Sequence, residues 1–219
     1  MSYYAIVIIS SYLLGSIPFG FLIGRMRGID VRKHGSGNIG ATNVVRILGP
    51  KWGIMVFMLD AGKGVAAVLL AKWLSQHFPV DLRDPFHQLA PVAIPAVVGG
   101  IVASVWCIVG HSFPFWLRFK GGKGVATSAG VMLGLLPLAS VASFTVWLIV
   151  FFASRYVSLA SICAAVFLPV AVLLVPQDPD RWPLFFLALL ATVLIIWRHR
   201  ANIERLRKGT EHRFVKNKS

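Results

Sequence analysis

Residues 125–153, VATSAGVMLGLLPLASVASFTVWLIVFFA, decide how this chain folds. As a single helix they would be ~43 Å long, against a bilayer hydrocarbon core of ~30 Å. Pro137 lies near the middle, just after Gly134. A proline lacks the backbone donor and disfavours helix in the residue before it. Two readings follow: one long tilted helix, or two shorter helices that meet near Pro137.

Charge separates the two. The other apolar stretches run over 3–26, 52–74, 89–110, 157–175 and 182–197. Most suit one span of ~20 residues, the last being somewhat short. Of the 22 Lys and Arg residues, six lie in loop 25–51, three in loop 111–124 and eight in the tail 198–219. The loops between differ: Arg83 faces Asp81 and Asp84 in 75–88, and Arg181 faces Asp178 and Asp180 in 176–181. Basic segments gather on the cytoplasmic side of a membrane. One helix over 125–153 gives six spans and strands the tail opposite the other two basic segments, whereas a break gives seven and brings all three together. The expected fold is an all-α integral membrane protein with about seven transmembrane helices. Its N-terminus is extracytoplasmic, its C-terminus cytoplasmic, and 1–219 form a single polytopic domain. The fourth helix, 125–136, is short and shielded by its neighbours.

Composition agrees. The 219 residues are 57% hydrophobic and 14% charged, with a mean hydropathy of +0.74, far from a soluble domain. The net charge of +14 lies in short loops between apolar runs. It therefore points to lipid headgroups or anionic substrates, and no nucleic-acid partner is expected. Cys107 and Cys163 fall inside apolar stretches and read as small buried hydrophobes. No His/Cys cluster suggests a metal site. The N-terminal MSYYAIVIISSYLLG has no positive n-region and its apolar run continues to Met26, so it reads as a retained span, not a cleaved signal.

Three polar segments carry candidate chemistry. The first is His34 to Gly49, HGSGNIGATNVVRILG, between two apolar stretches. Its glycines allow close backbone approach, and Ser36, Asn38, Thr42, Asn43 and Arg46 can surround a phosphate-bearing ligand. The second is Phe119 to Thr127, FKGGKGVAT, which opens the expected fourth helix. Lys120 and Lys123 add charge, and the amides of Gly121, Gly122 and Gly124 face an anion at a helix N-terminus. It is not a Walker A loop, because Lys123 is followed by Gly124 and not by Ser or Thr. The third is Arg198 to Glu211, RHRANIERLRKGTE. Its basic residues suit an interfacial helix gripping anionic lipid. His199, Asn202 and Glu211 are not needed for that, and a continuing helix places His199 and Asn202 on one face.

Asp60 and Lys63, three apart inside the second span, read either as functional residues or as a neutralising pair. His111 reads as a loop hydrogen-bonder. Ala61–Ala67 echoes Gly121–Thr127 at five of seven positions, as a parallel repeat or by chance.

Ser36-Gly-Asn-Ile-Gly-Ala-Thr-Asn43 with Arg46, Lys120-Gly-Gly-Lys-Gly-Val-Ala-Thr127, and Arg198-His-Arg-Ala-Asn202 with Gly209-Thr-Glu211 together resemble the three cytoplasmic motifs of the bacterial acyl-phosphate:glycerol-3-phosphate acyltransferases. Gly15-Ser-Ile-Pro-Phe-Gly20 and Leu59-Asp-Ala-Gly-Lys-Gly64 fit the same family. The resemblance covers essentially the whole chain. It implies transfer of a fatty acyl group from acyl-phosphate to the 1-hydroxyl of glycerol-3-phosphate, giving lysophosphatidic acid and inorganic phosphate. It implies no cofactor, and neither acyl-CoA nor acyl-carrier protein as direct donor. It places the protein in the bacterial cytoplasmic (inner) membrane with its active site on the cytoplasmic face. Its functional neighbours are the acyl-phosphate-producing and second acylating enzymes.

The residues fit that chemistry. Arg46 and Lys123 are expected to neutralise phosphate, and Asn38, Asn202 and the Gly121–Gly124 amides to donate hydrogen bonds. Ser36, His199, Asn202 and Glu211 are the candidate catalytic residues. His199, Glu211 or the substrate's own phosphate can serve as base, and Ser36 can bind, orient or attack. The rival reading is a transporter or exchanger of a phosphorylated anion, supported by broken helices and intramembrane Asp60 and Lys63. Its weakness is that the polar residues crowd one expected face. A non-catalytic lipid-binding scaffold leaves the Ser36–Arg46 segment unexplained.

Overall fold

A computed structural model describes residues 3–77, 95–176 and 181–214. Much of loops 75–88 and 176–181, the start of the 89–110 stretch and the end of the tail lie outside the described residues. All regular structure among the described residues is helical. Among the described residues six stretches are long and apolar enough to cross a membrane, and Val125–Leu135 is a shorter apolar helix.

The chain does break at Pro137. Helix α6 (Val125–Leu135) ends, Leu136 leaves the helical region at φ −134° and ψ 63°, and α7 (Pro137–Ser154) begins with the proline at its first position. There the missing N–H costs nothing and the fixed φ suits a helix start. The first apolar stretch, 3–26, is one candidate span of 24 residues as expected, and its helix is interrupted within it. Pro18 separates α1 (Tyr3–Ser16) from α2 (Phe19–Met26).

The helices form two compact units, Met1–Leu135 and Leu136–Ser219. In the first, α4 (Pro50–His77) is the spine. The short helix α3 (Ala41–Leu48) packs on its first turns, and α1, α5 (Pro95–Ser112) and α6 on the rest. The α4–α6 seam is close because it is lined by glycine. A methyl group on Gly64 would sit 2.6 Å from the Thr127 carbonyl oxygen, and one on Gly130 would overlap the Ala61 carbonyl. Thr127 is buried in this seam. Ala61–Ala67 is helical throughout, whereas Gly121–Gly124 precedes a helix. The sequence echo is thus a packing partnership and not a repeated conformation.

Both broken helices end against a lysine of α4. Lys63 Nζ donates to the Ile17 carbonyl at 2.9 Å, where α1 stops. Lys72 Nζ donates to the Gly134 carbonyl at 2.8 Å, where α6 stops. The last carbonyls of a helix have no intrahelical donor, and a cation there also meets the negative end of the helix dipole. In an apolar setting this satisfies groups that water cannot reach.

In the second unit α7, α8 (Val157–Leu174) and α9 (Arg181–Arg198) pack in chain order. Trp147 Nε1 donates to Ser161 Oγ at 3.2 Å across α7 and α8, and Thr192 Oγ1 to the Ala165 carbonyl at 2.5 Å across α9 and α8. A last helix, α10 (Arg200–Arg207), follows α9 directly.

Candidate active site

The His34–Gly49 segment is not a loop throughout. His34–Gly40 is a turn, and residues 41–48 form α3, so Thr42, Asn43 and Arg46 sit on a helix. The apolar positions of the segment explain this. Ile39 and Val44 are buried with Ile23, Val31, Val56 and Leu117 in a small core. Thr42 and Arg46 are four apart on α3, hence neighbours on one face, and both are half-buried. Ser36 is exposed and Asn38 half-buried.

Asn43 has a different place from the ligand contact expected of it. It is buried, and its Nδ2 donates to the carbonyls of Val31 (3.0 Å), His34 (3.2 Å) and Asn38 (2.8 Å). Its Oδ1 accepts from the Ser36 amide at 2.8 Å. One side chain therefore holds four points of the turn, and the amide is committed to that work. Asn38 Oδ1 accepts from the Gly40 amide at 2.8 Å, which shapes the entry to α3. Gly35 and Gly37 adopt φ of 59° and 70°, values that suit glycine.

The second segment needs a correction. The amides of Gly121 and Gly122 do not point to an open anion site: they donate to the Ser112 and His111 carbonyls at 3.2 and 3.1 Å. Those carbonyls close α5 and need donors once the helix ends. Gly124, at φ 82°, leads into α6, whose first-turn amides carry the helix N-terminus. Lys123 is half-buried and Lys120 exposed. Arg118 and Phe119 just before take left-handed φ values of 51° and 61°, a strained turn for non-glycine residues. Leu117 shares the small core with Ile39 and Val44, so the first two segments are tied through one set of apolar contacts.

Under the glycines lies a buried charged cluster. Asp60 and Lys63 pair at 2.7 Å with side chains 3% exposed. Lys63 Nζ also lies 3.0 Å from His111 Nδ1, while Asp60 Oδ1 is farther from that atom, at 3.5 Å. An ammonium only donates, so Nδ1 accepts, and a neutral His111 ring carries its proton on Nε2. Nε2 faces Gly122 so closely that a methyl group on Gly122 would overlap it. His111 is thus a buried member of α5 and not the loop hydrogen-bonder expected of it.

The third segment forms a cap in the second unit. The helix does not continue through it: His199 stands between α9 and α10, with Asn202 N donating back to its carbonyl at 2.8 Å. Both side chains are buried. His199 Nδ1 lies 2.8 Å from the Ile195 carbonyl, which can only accept. Nδ1 therefore carries the proton, and Nε2 of a neutral ring is an acceptor. Glu211 Oε1 accepts from Asn202 Nδ2 (2.7 Å) and Ser158 Oγ (3.0 Å), and Oε2 from Arg205 Nε (2.7 Å). Burial pushes the Glu211 carboxyl up, but hydrogen bonds from Asn202, Arg205 and Ser158 outweigh it and hold the group below its ordinary range.

Sequence reading missed Ser158 and Lys72. Ser158 lies 53 residues from Glu211, with no signal to mark it. Lys72, a charge inside an apolar stretch, carried such a signal.

These features define a class: an all-helical membrane protein with glycine turns and basic side chains in its first unit and a histidine–asparagine cap in its second. The glycerol-3-phosphate acyltransferase family matches residues 5–209. A glycerol-3-phosphate acyltransferase of Desulforamulus reducens is 46% identical over 97% of this chain and 96% of its own length. That of Aquifex aeolicus is 44% identical over 95% and 97%. The crystal structure of PlsY (YgiH), an integral membrane glycerol 3-phosphate acyltransferase, in its glycerol 3-phosphate form superposes with a TM-score of 0.81 at 40% identity, covering 97% of this chain and 96% of that one. Its lysophosphatidic acid form gives 0.78, covering 97% and 95%. The chain belongs to the glycerol-3-phosphate acyltransferase family.

Proposed function

We propose that the protein transfers a fatty acyl group from an acyl-phosphate to the 1-hydroxyl of sn-glycerol-3-phosphate, releasing lysophosphatidic acid and inorganic phosphate. The observation that carries this reading is that PlsY, 40% identical over 97% of this chain, has been solved with both glycerol 3-phosphate and lysophosphatidic acid, an acceptor and its acylated product. The reaction runs in the bacterial cytoplasmic membrane, with the three basic segments on the cytoplasmic side. A reporter fused after Ser219 is expected to be cytoplasmic, and an extracytoplasmic signal overturns that placement.

The chemistry follows from the substrates. The glycerol hydroxyl oxygen bonds to the acyl carbon, the carbon–oxygen bond to phosphate breaks, and the hydroxyl proton passes to a base. An acyl-phosphate is an activated mixed anhydride, so orientation and charge stabilisation suffice, without a cofactor or a protein nucleophile. We assign Arg46 and Lys123 to neutralising phosphate and Ser36, Asn38, Thr42 and Lys120 to the surrounding polar shell. His199, with Nδ1–H donated to Ile195, presents Nε2 as the proton acceptor. Glu211 is a poor base, because its carboxylate is held in the charged form with both oxygens engaged. It serves instead to aim Asn202. The intramembrane Asp60 and Lys63 that favoured a transporter neutralise each other and cap α1, which removes that support.

Detergent-purified protein supplied with glycerol-3-phosphate and palmitoyl phosphate is expected to release lysolipid and phosphate in equal amounts. Palmitoyl-CoA in place of palmitoyl phosphate is expected to give none. Absence of lysolipid together with phosphate uptake into liposomes would return the transporter reading.

A further inference from the structure

We propose that Asp60, Lys63 and His111 act as a positioning unit that fixes the Gly121–Gly124 turn for anion binding. The kinetic part of this inference rests on the acyltransferase reading above. Three observations support it. Lys63 Nζ has three donors, and three acceptors from three helical segments surround it: Asp60 Oδ1 at 2.7 Å in α4, the Ile17 carbonyl at 2.9 Å after α1, and His111 Nδ1 at 3.0 Å in α5. The ammonium therefore fixes α4, the end of α1 and the end of α5 relative to one another. His111 then meets the second segment twice. Its carbonyl accepts from the Gly122 amide at 3.1 Å, and its Nε2 edge lies against the Gly122 α-carbon.

The site is placed for this purpose. Gly64 contacts Thr127 and Gly130 contacts Ala61, so α6 starts beside the middle of α4, ~17–21 Å from Pro50. The turn entering α6 reaches the level of the Asp60–Lys63 pair. Glycine at 122 lets the backbone lie against an imidazole, and the strained Arg118–Phe119 turn brings it there. Without a rigid support at this point the first-turn amides of α6 and Lys123 would not hold a defined geometry, and preorganised donors are what a developing phosphate charge requires. None of the three residues need touch substrate.

The test is a double-mutant cycle between His111 and Gly122, read in kinetics and in binding. In H111N the amide oxygen takes the place of Nδ1, keeps an acceptor for Lys63, and withdraws the edge from Gly122. G122A inserts a methyl where Nε2 lies. Each single variant is expected to raise KM for at least one phosphorylated substrate by fivefold or more, with kcat within threefold. The H111N/G122A double variant is expected to be no worse than either single, because the methyl fills the space the ring leaves. KM shifts below fivefold for both substrates in H111N, a loss confined to kcat, or multiplicative effects in the double variant would overturn the proposal. Should H111N not fold, D60N/K63M removes the pair without leaving a lone buried charge, and the same fivefold criterion applies. Equilibrium binding of radiolabelled glycerol-3-phosphate, competed by inorganic phosphate, is measured on the same proteins. Weaker binding in the variants supports the positioning unit even if the unmodified protein makes no lysolipid, and equal binding sinks it unless KM for palmitoyl phosphate has risen at least fivefold.

Discussion

Among the described residues each unit holds one buried acid, and the two acids are satisfied in opposite ways. Asp60 lies inside a span and is neutralised by Lys63 of its own helix, both side chains 3% exposed. Glu211 lies in the tail beyond α10 and is held by two neutral donors, Asn202 and Ser158, and by Arg205, whose side chain is 38% exposed. The histidines follow suit. His111 accepts at Nδ1 from an ammonium, whereas His199 donates from Nδ1 to a carbonyl. The first arrangement makes a support, with the ring proton directed toward backbone. The second fixes Nε2 as the acceptor nitrogen of a neutral ring, the property that the proposed role of His199 as base uses. Burial of an acid or a histidine is thus no guide to its role; the partner that fixes its proton is.

The largest expected effect comes from breaking the first pair on one side. Lys63→Met leaves the Asp60 carboxylate buried and uncompensated, at a cost of about 3–5 kcal/mol. D60N/K63M is expected to recover most of that. Thermal unfolding in detergent measures both, and an equal loss in single and double variants would show that the charge pairing is unimportant. Next is His199→Gln, which keeps polar contacts but cannot accept the proton. A kcat loss of about 100-fold, close to 2.7 kcal/mol, is expected with little change in KM. If most of the turnover survives, the substrate's phosphate is the base.

Glu211→Gln probes the tail arrangement. It removes the charge that Arg205 and Asn202 meet, and about 1.5–3 kcal/mol is expected from hydrogen bonds to a charged acceptor, at the lower end because Arg205 is partly exposed. The pH dependence has a definite sign. A carboxyl whose folded pKa lies below its ordinary 4.5 stabilises the fold above that value, and the contribution is lost as pH falls through the folded pKa. The unfolding temperature of the unmodified protein should therefore drop below about pH 4.5 by more than that of E211Q. Parallel curves would count against Glu211 as the anchor of Asn202.

How much of this could be read from the chain depends on the range of the forces involved. Pro137 and the positions of 17 basic residues were enough to split 125–153, because proline geometry is local and charge placement is additive along the chain. Pro18 offered the same local signal, but no charge count required a break there. The polar segments were legible as residues and not as roles. Asn43 became a turn anchor only because folding brings carbonyls of Val31, His34 and Asn38 within its reach. The amides of Gly121 and Gly122 were claimed by α5, a demand invisible until α5 ends beside them. His111 meets Lys63 across 48 residues, and nothing in either neighbourhood predicts that contact.

The smallest effect sharpens the comparison within one helix. Lys72 and Lys63 both cap a broken helix from α4, at 2.8 and 2.9 Å. Lys72 has no carboxylate within ion-pair distance among the described residues and is only half-buried. Lys72→Met should therefore forfeit one hydrogen bond to a helix-end carbonyl and the associated dipole attraction, about 1 kcal/mol, without touching KM or kcat. Lys63→Met forfeits the same cap and also strands a carboxylate. The difference between the two variants, measured in one detergent and one buffer, isolates the ion pair from the cap. If K72M costs as much as K63M, helix-end capping is the whole contribution of both lysines, and Asp60 is already stabilised by other means.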